Sequence, residues 1–165
     1  MGRLAVMTLE IRLFTPEDAD WLTDQHGALY ACDEGFDETF APLVAGILAD
    51  FVAKHDPSCE RGWIAWDGDT RLGSIFCVRL DAQTAKLRLF LLVPEARGRG
   101  LGRQLLETCM GFARDTGYAR MSLWTHAEHA AACALYARNG WVLRESKQVH
   151  NFGRDLTEQQ WDLDL

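Results

Sequence analysis

Glycine and arginine alternate in a stretch that is well suited to bind a phosphate group. Positions 97–103 read Arg-Gly-Arg-Gly-Leu-Gly-Arg, after an apolar run and before a helical pattern of leucines. The glycines remove side chains where the backbone must bend, so its N–H groups can approach a ligand closely. The arginines add positive charge, and a helix beginning here would add the positive end of its dipole. We therefore expect an anionic, phosphorylated ligand at this turn.

Several other motifs are excluded by their spacing. A dinucleotide fingerprint needs Gly-x-Gly-x-x-Gly in an early β-α-β unit, and a nucleoside triphosphate loop needs Gly-Lys followed by Ser or Thr. His126-Ala127-Glu128 has the His-x-Glu spacing of zinc deaminases, but no Pro-Cys-x-x-Cys follows it. His126 and His129 have no evident third metal ligand, and no Gly-x-Ser-x-Gly is present. We expect neither a metal site nor a serine nucleophile.

A second stretch that could do chemistry ends with a tyrosine. Tyr136 lies at the end of a predicted helix, just before Asn139-Gly140 and a new strand. A phenol at such a position can donate a proton, although an aromatic ring packed against a sheet would explain the residue equally well. The residue alone leaves both interpretations open.

The elements that must position these residues alternate between strands and helices. Strands are predicted at 9–14, 62–66, 72–80, 86–93, 121–125, 141–149 and 161–165, and helices at 16–34, 40–51, 101–116 and 128–138, with a polar loop between the last two strands. Thr15-Pro16-Glu17-Asp18 reads as a helix start and Gly117 as a helix end. The order β-α-α-β-β-β-α-β-α-β-β predicts one α/β domain over residues 1–165, with a mixed sheet of about seven strands and about four helices.

Composition narrows the function further. The chain has 165 residues, a formal net charge of −7 and five widely spaced cysteines. The acidic balance argues against nucleic acid or an anionic membrane as partner, and no stretch reaches transmembrane length. Cysteines without framework spacing favour reduced thiols, so we predict a cytoplasmic protein.

Acidic residues are concentrated before the strand predicted at 62–66. No Lys or Arg occurs at 13–53, while nine Asp and Glu do. Two solvated acidic helices would explain this pattern. The alternative is a surface that attracts a cationic substrate, while the glycine turn holds an anionic cofactor.

Taken together, these motifs resemble those of a known enzyme family. Arg97-Gly98-Arg99-Gly100-Leu101-Gly102 resembles the (Gln/Arg)-x-x-Gly-x-(Gly/Ala) signature of the GNAT superfamily of acetyl-CoA-dependent N-acetyltransferases. The helix ending at Tyr136, followed by Asn139-Gly140-Trp141, resembles the family's second motif, and the element order fits the GNAT fold. More narrowly, three segments (26–30, 61–65 and 150–165) resemble the acetyltransferase domain attached to some MarR-type winged-helix regulators.

The resemblance implies a mechanism and a set of site residues. Acetyl-CoA would be the cofactor, a primary amine would attack its thioester directly, and Tyr136 would be the general acid. The residues that the resemblance assigns to cofactor binding are Phe90, Leu91, Leu92, Arg97, Gly98, Arg99, Gly100, Leu101, Gly102, Arg103 and His129, the last where many relatives have Asn. Trp124 and Thr125 occupy the place where some relatives carry a glutamate that acts as the general base. Glu34 and His26 are therefore our candidates for the base. The alternative function is an acyl-CoA-binding sensor without catalysis, and closing strands of this kind are compatible with a homodimer.

Overall fold

The computed structural model describes residues 8–165, which form one seven-stranded sheet in the order β1-β2-β3-β4-β5-β7-β6. The strands are β1 (Leu9–Leu13), β2 (Arg61–Asp67), β3 (Thr70–Arg79), β4 (Thr84–Leu92), β5 (Arg120–His126), β6 (Val142–Asn151) and β7 (Arg154–Asp164). The helices are α1 (Ala19–Glu34), α2 (Phe40–Lys54), α3 (Leu101–Thr116) and α4 (Ala130–Arg138). Only β4 and β5 pair in parallel. The predicted mixed α/β fold and its element order are confirmed.

Two apolar cores cover the two faces of the sheet. Side chains alternate between the faces of a strand, so Trp63 on β2 joins one core and Ile64 joins the other. On one face α1 and α2 bury Leu22 and Leu48 against Ile64. On the other face α3 buries a stripe that includes Leu105. The helices thus hold the strands rigidly from both sides.

The start of α1 matches its predicted signals. Thr15 and Asp18 form a capping box around a 3₁₀ turn, Pro16–Asp18, that leads into the helix. The buried Asp18 carboxylate also accepts a hydrogen bond from the Arg71 side chain at 2.8 Å. At its other end α1 stops at Gly35, which has a φ of 69°. These contacts fix the direction in which α1 crosses the sheet.

The end of the chain differs from its prediction. Instead of a polar loop, β6 and β7 form a long hairpin whose turn residues, Phe152 and Gly153, both have positive φ. The strand predicted at 141–149 is confirmed as β6, and the strand predicted at 161–165 forms the second half of β7. Residues 154–160 of β7 contain one apolar side chain, Leu156, so this part of the strand lacks the apolar alternation by which a half-buried strand is identified. Among residues 8–165, no helix is long and apolar enough to cross a lipid bilayer.

Candidate active site

A cleft of about 610 Å³ lies between β4, the first turn of α3, α4 and the end of α1. It gathers most of the residues that the sequence assigned to cofactor binding: Phe90, Leu91, Leu92, Arg97, Gly98, Gly100, Gly102, Arg103 and His129. Leu101 does not line it, because its side chain is 1% exposed and lies in the core below α3. Arg99 lies in the same turn without lining the cleft.

The glycine turn presents a row of backbone N–H groups to this cleft. Gly98 and Gly100 have φ of 75° and 77°, a conformation that glycine adopts without strain. The first hydrogen bond of α3 runs from the N–H of Gln104 to the oxygen of Gly100. The N–H groups of Gly98, Gly100, Leu101, Gly102 and Arg103 therefore have no backbone acceptor among the described residues. Such a row at a helix N-terminus is suited to bind a phosphate.

Two arginine side chains of the glycine turn form ion pairs. The guanidinium of Arg97 donates to the carboxylate of Asp33 on α1 at 3.1 Å, and that of Arg103 donates to Glu107 at 2.8 Å. Both pairs are substantially exposed, so they add little to stability. The first pair links the turn to α1 across the mouth of the cleft.

The strand β4 provides the long wall of the cleft because it separates from β5. The two strands pair only from Thr84 to Lys86, and beyond that point one edge of β4 is open. The N–H of Val93 donates to the oxygen of Leu72 on β3. Because peptide groups alternate in direction along a strand, those of Phe90 and Leu92 face the open edge. These peptide groups can bind an extended ligand.

A bulge re-aims β4 at the start of this wall. The register with β3 shifts between Ser74 and Phe76, and Leu89 has a φ of 52°, which is rare for a residue with a side chain. The hydroxyl of Ser74 donates to the oxygen of Leu89 at 2.6 Å. At Gly73 an added Cβ would lie 2.4 Å from the oxygen of Leu91, so the bulge requires glycine there. Two residues of β3 therefore maintain the bulge.

Tyr136 does not line the cleft, but its ring, which belongs to the same core as Leu105, lies beside the ring of Phe90, which does. It is 4% exposed, and its ring centroid lies 6.2 Å from that of Phe90. Its hydroxyl has no hydrogen-bond partner among the described residues, and it is not one of the two sealed polar atoms, His26 Nε2 and Trp141 Nε1. The oxygen therefore still reaches accessible space. Burial raises the pKa of Tyr136 well above its ordinary value, so the phenol stays protonated.

The two residues proposed as a base lie in different surroundings. Glu34 lines the cleft, and partial burial raises its pKa. His26 lies outside the cleft and is 2% exposed, with Nδ1 donating to the oxygen of Leu22 at 2.8 Å. Burial lowers the pKa of His26 to about 4. The sealed imidazole has no path to a ligand in the cleft.

Two aromatic residues near the cleft were not assigned a role from the sequence. Tyr30 lines the cleft, and its hydroxyl lies 3.5 Å from Nδ1 of His129. His126, at the end of β5, lies close enough to Glu34 for each to shift the pKa of the other. Burial lowers the pKa of His126, so its ring is neutral and can accept a proton. No local pattern marks this pair, because Glu34 and His126 are distant in sequence.

Among residues 8–165, no group of three or more His, Cys, Asp or Glu side chains is placed to bind a metal ion.

Known proteins that are similar in sequence to this chain include acetyltransferases. A family model described as acetyltransferase (GNAT) family matches residues 14–141. The chain is 29% identical over 128 residues to a mycothiol acetyltransferase of Clavibacter sepedonicus, which covers 76% of this chain and 40% of that protein. It is 37% identical over 89 residues to the mycothiol acetyltransferase of Beutenbergia cavernae, which covers 53% of this chain and 29% of that protein. The chain thus spans less than half the length of these relatives.

Solved structures of other acetyltransferases share this fold. The Salmonella typhimurium protein yncA, solved with its cofactor acetyl-CoA, superposes with a TM-score of 0.78 at 19% identity, covering 95% of this chain and 94% of that one. The predicted acetyltransferase family is confirmed, and the predicted co-substrate, acetyl-CoA, is the cofactor bound to yncA. The chain belongs to the acetyltransferase (GNAT) family.

Proposed function

We propose that this protein transfers the acetyl group of acetyl-CoA to a primary amine, of a small molecule or a protein, with Tyr136 as the general acid. When bound, acetyl-CoA supplies an activated thioester carbonyl. The observation that carries the proposal is one cleft that joins a row of N–H groups to an unpaired strand edge, where the ring of Phe90 on its wall lies 6.2 Å from the buried ring of Tyr136. A long molecule with a pyrophosphate at one end and a reactive carbonyl at the other matches this arrangement.

The two ends of the cleft would hold different parts of acetyl-CoA. The N–H groups from Gly98 to Arg103 would donate to the pyrophosphate, and the arginines of the turn would add favourable charge. The peptide groups of Phe90 and Leu92 would pair with the pantetheine arm. One of these N–H groups would also donate to the carbonyl oxygen as negative charge develops on it. His129 would donate from its ring where many relatives use Asn.

Tyr136 would supply the proton that the leaving sulfur needs. A free phenol has a pKa of about 10 and a free thiol one of about 8.5, so full proton transfer between them is unfavourable in water. Burial raises the pKa of both groups, since each loses solvation of its anion. A hydrogen bond from Tyr136 to the sulfur would therefore stabilise the charge as it develops.

The amine must lose a proton, and the pair of Glu34 and His126 is the best-placed acceptor. Partial burial raises the pKa of Glu34 and lowers that of His126, which brings the two proton affinities closer together. Either group could accept the proton directly or through water. His26 receives no support for this role, because its ring is sealed below α1.

Calorimetry and a thiol-release assay together test the proposal. The full chain should bind acetyl-CoA, should bind pantetheine (which lacks the pyrophosphate) much more weakly, and should release free thiol with at least one amine of a broad panel. Tight cofactor binding without turnover would favour the alternative of an acyl-CoA sensor. Absence of binding would refute both.

A matched pair of glycine variants separates the cradle from general damage. Gly100 and Gly68 both have positive φ, and neither has an atom within 4 Å of an added Cβ. Alanine at either position should lower stability by about 1 kcal/mol, because the left-handed conformation becomes strained. Only G100A should weaken acetyl-CoA binding, because Gly68 lies in the β2–β3 turn and does not line the cleft.

The finer resemblances remain predictions. The likeness to domains attached to MarR-type regulators is not reflected in the relatives reported above, which are named as mycothiol acetyltransferases. A homodimer through the closing strands is likewise a prediction, which light scattering would test.

A further inference from the structure

A second cavity lies on the other side of β4. It has a volume of about 470 Å³ and lies between α2, β3 and the first half of β4. Phe76 and Leu89 form part of its apolar wall, and Arg88 contributes a guanidinium. Leu89 lines this cavity and Phe90 lines the cofactor cleft, so neighbouring residues of β4 contribute to both.

Arg88 is unusual among the arginines of this chain. Arg71, Arg97 and Arg103 each contact a carboxylate. Arg88 is half-buried, yet it has no hydrogen bond, ion pair or aromatic partner among the described residues. Burial alone lowers its pKa, with no acidic side chain opposing that shift.

A neighbouring lysine strengthens the positive charge on this face. Lys86 is also half-buried and has no carboxylate partner among residues 8–165, and its ammonium lies 4.9 Å from the centre of the Trp124 ring. The chain as a whole carries a net charge of −7, so carboxylates are abundant. Asp50 and Glu60 also line the cavity, but neither forms an ion pair with Arg88 or Lys86. A partly desolvated cation without such a pair is unfavourable, and an anionic ligand bound to it would relieve that cost.

The position of Arg88 relates it to the reacting atoms. Arg88 and Phe90 are separated only by Leu89, so their Cα atoms lie within about 7 Å, the distance that two residues span in an extended strand. The guanidinium can therefore bind one end of a small molecule whose other end reaches the bulge. Planar guanidinium groups bind carboxylates through two parallel hydrogen bonds, which also orients the ligand.

We propose that the amine acceptor also carries a carboxylate, and that Arg88 binds this group in the second cavity. The inference rests on the proposed acetyltransferase function and names its substrate class, a small amino acid-like molecule with a free primary amine. Glu34 in the cleft would attract the ammonium end of such a molecule. The acidic segment at 13–53 offers fewer unpaired carboxylates to a cationic substrate than its sequence suggests, because Asp18 and Asp33 are already paired with arginines.

Paired acceptors test this inference in the thiol-release assay. Each amino acid of a panel is compared with its own primary amide, which keeps the amine and removes the negative charge, and linear diamines form a third group. The wild-type protein should prefer amino acids over their amides. R88M should lower kcat/KM for the amino acids by about 10- to 100-fold, since a charged hydrogen-bond pair is lost, and should change that for the amides less than about twofold.

R79M is the matched control, because Arg79 lines the same cavity from β3 but is exposed. It should leave the preference for carboxylates intact. An equal loss in R79M and R88M would mean that general positive charge, rather than Arg88, selects the acceptor, and would overturn the assignment. Turnover of amides or diamines at least as fast as of amino acids would overturn the inference while leaving the acetyltransferase function standing. No turnover with any amine would refute the proposed function and this inference with it.

Discussion

Replacing Tyr136 by Phe should separate catalysis from stability. The ring contacts of Tyr136 with Trp141 and Trp161, at centroid distances of 5.8 and 6.3 Å, are kept in Y136F. The hydroxyl has no hydrogen-bond partner among the described residues, so Y136F loses no hydrogen bond within the protein and removes a polar group from a side chain that is 4% exposed. We therefore expect the free energy of unfolding, measured by urea denaturation, to stay the same or to rise by up to about 1 kcal/mol.

Activity should move in the opposite direction. General acid catalysis contributes about 10²- to 10⁴-fold to a rate, so kcat of Y136F should fall by about 100-fold or more. The dissociation constant of acetyl-CoA, measured by calorimetry, should change less than about twofold, because the cradle and the strand edge are untouched. Because burial raises the pKa of Tyr136, the wild-type rate should show no loss of this acid as the pH rises from 6 to 9.

Y118F is the matched control for this experiment. The hydroxyl of Tyr118 is also largely buried, but it donates to the oxygen of Cys59 at 2.7 Å and lies outside the cleft. Y118F should lose about 1 kcal/mol of stability and keep its turnover. The reasoning is refuted if Y136F turns over acceptor at the wild-type rate, or if it loses stability as Y118F does.

Three further predictions concern stability. Burial lowers the pKa of His26 to about 4, so the unfolded state binds more protons than the folded state between pH 4 and 6.5, and stability falls as the pH falls. Between pH 7 and pH 5 the free energy of unfolding should decrease by about 2 kcal/mol from this group. Urea titrations of H26F at the two pH values should no longer show this decrease. The free energy of unfolding of S74A should be lower by about 1–2 kcal/mol, because the oxygen of Leu89 loses its hydroxyl partner. If the bulge positions the acetyl group, kcat of S74A should also fall, and an unchanged kcat would contradict that role. G111A should stabilise α3 by about 0.5–1 kcal/mol and raise the melting temperature, because glycine is unfavourable within a helix and no atom lies within 4 Å of the added Cβ. A lower melting temperature would contradict the open space around Gly111.

Local signals in the sequence predicted those elements whose boundaries depend on local chemistry. The capping residues Thr15 and Asp18 mark the start of the first helix, and Gly117, with a φ of 96°, marks the end of α3. The glycine turn could be assigned to an anion because its function depends on neighbouring backbone groups. Each of these features can be read from a few adjacent residues.

Features that depend on distant residues were not predictable in this way. Glu34 at the end of α1 and His126 at the end of β5 come close enough for each to shift the pKa of the other, and nothing near either residue in the sequence indicates the other. The β6–β7 hairpin is longer than predicted because residues 154–160, which are polar except for Leu156, pair with β6 instead of forming a loop. Its turn at Phe152 is held by tertiary contacts, including the stacking of Phe152 on Phe36 at 4.7 Å.

The bulge in β4 explains how one strand can serve two cavities. A regular strand would keep its side-chain alternation, and its peptide groups would pair evenly with both neighbours. The extra residue at Leu89 breaks that regularity just where β5 has already separated, so peptide groups of Phe90 face the cofactor cleft while the Arg88 side chain lies in the second cavity. The unfavourable φ of Leu89 persists because Ser74 and Gly73 on β3 maintain it. A change that relaxes the bulge should therefore weaken the binding of cofactor and acceptor together, whereas R88M should weaken only that of the acceptor.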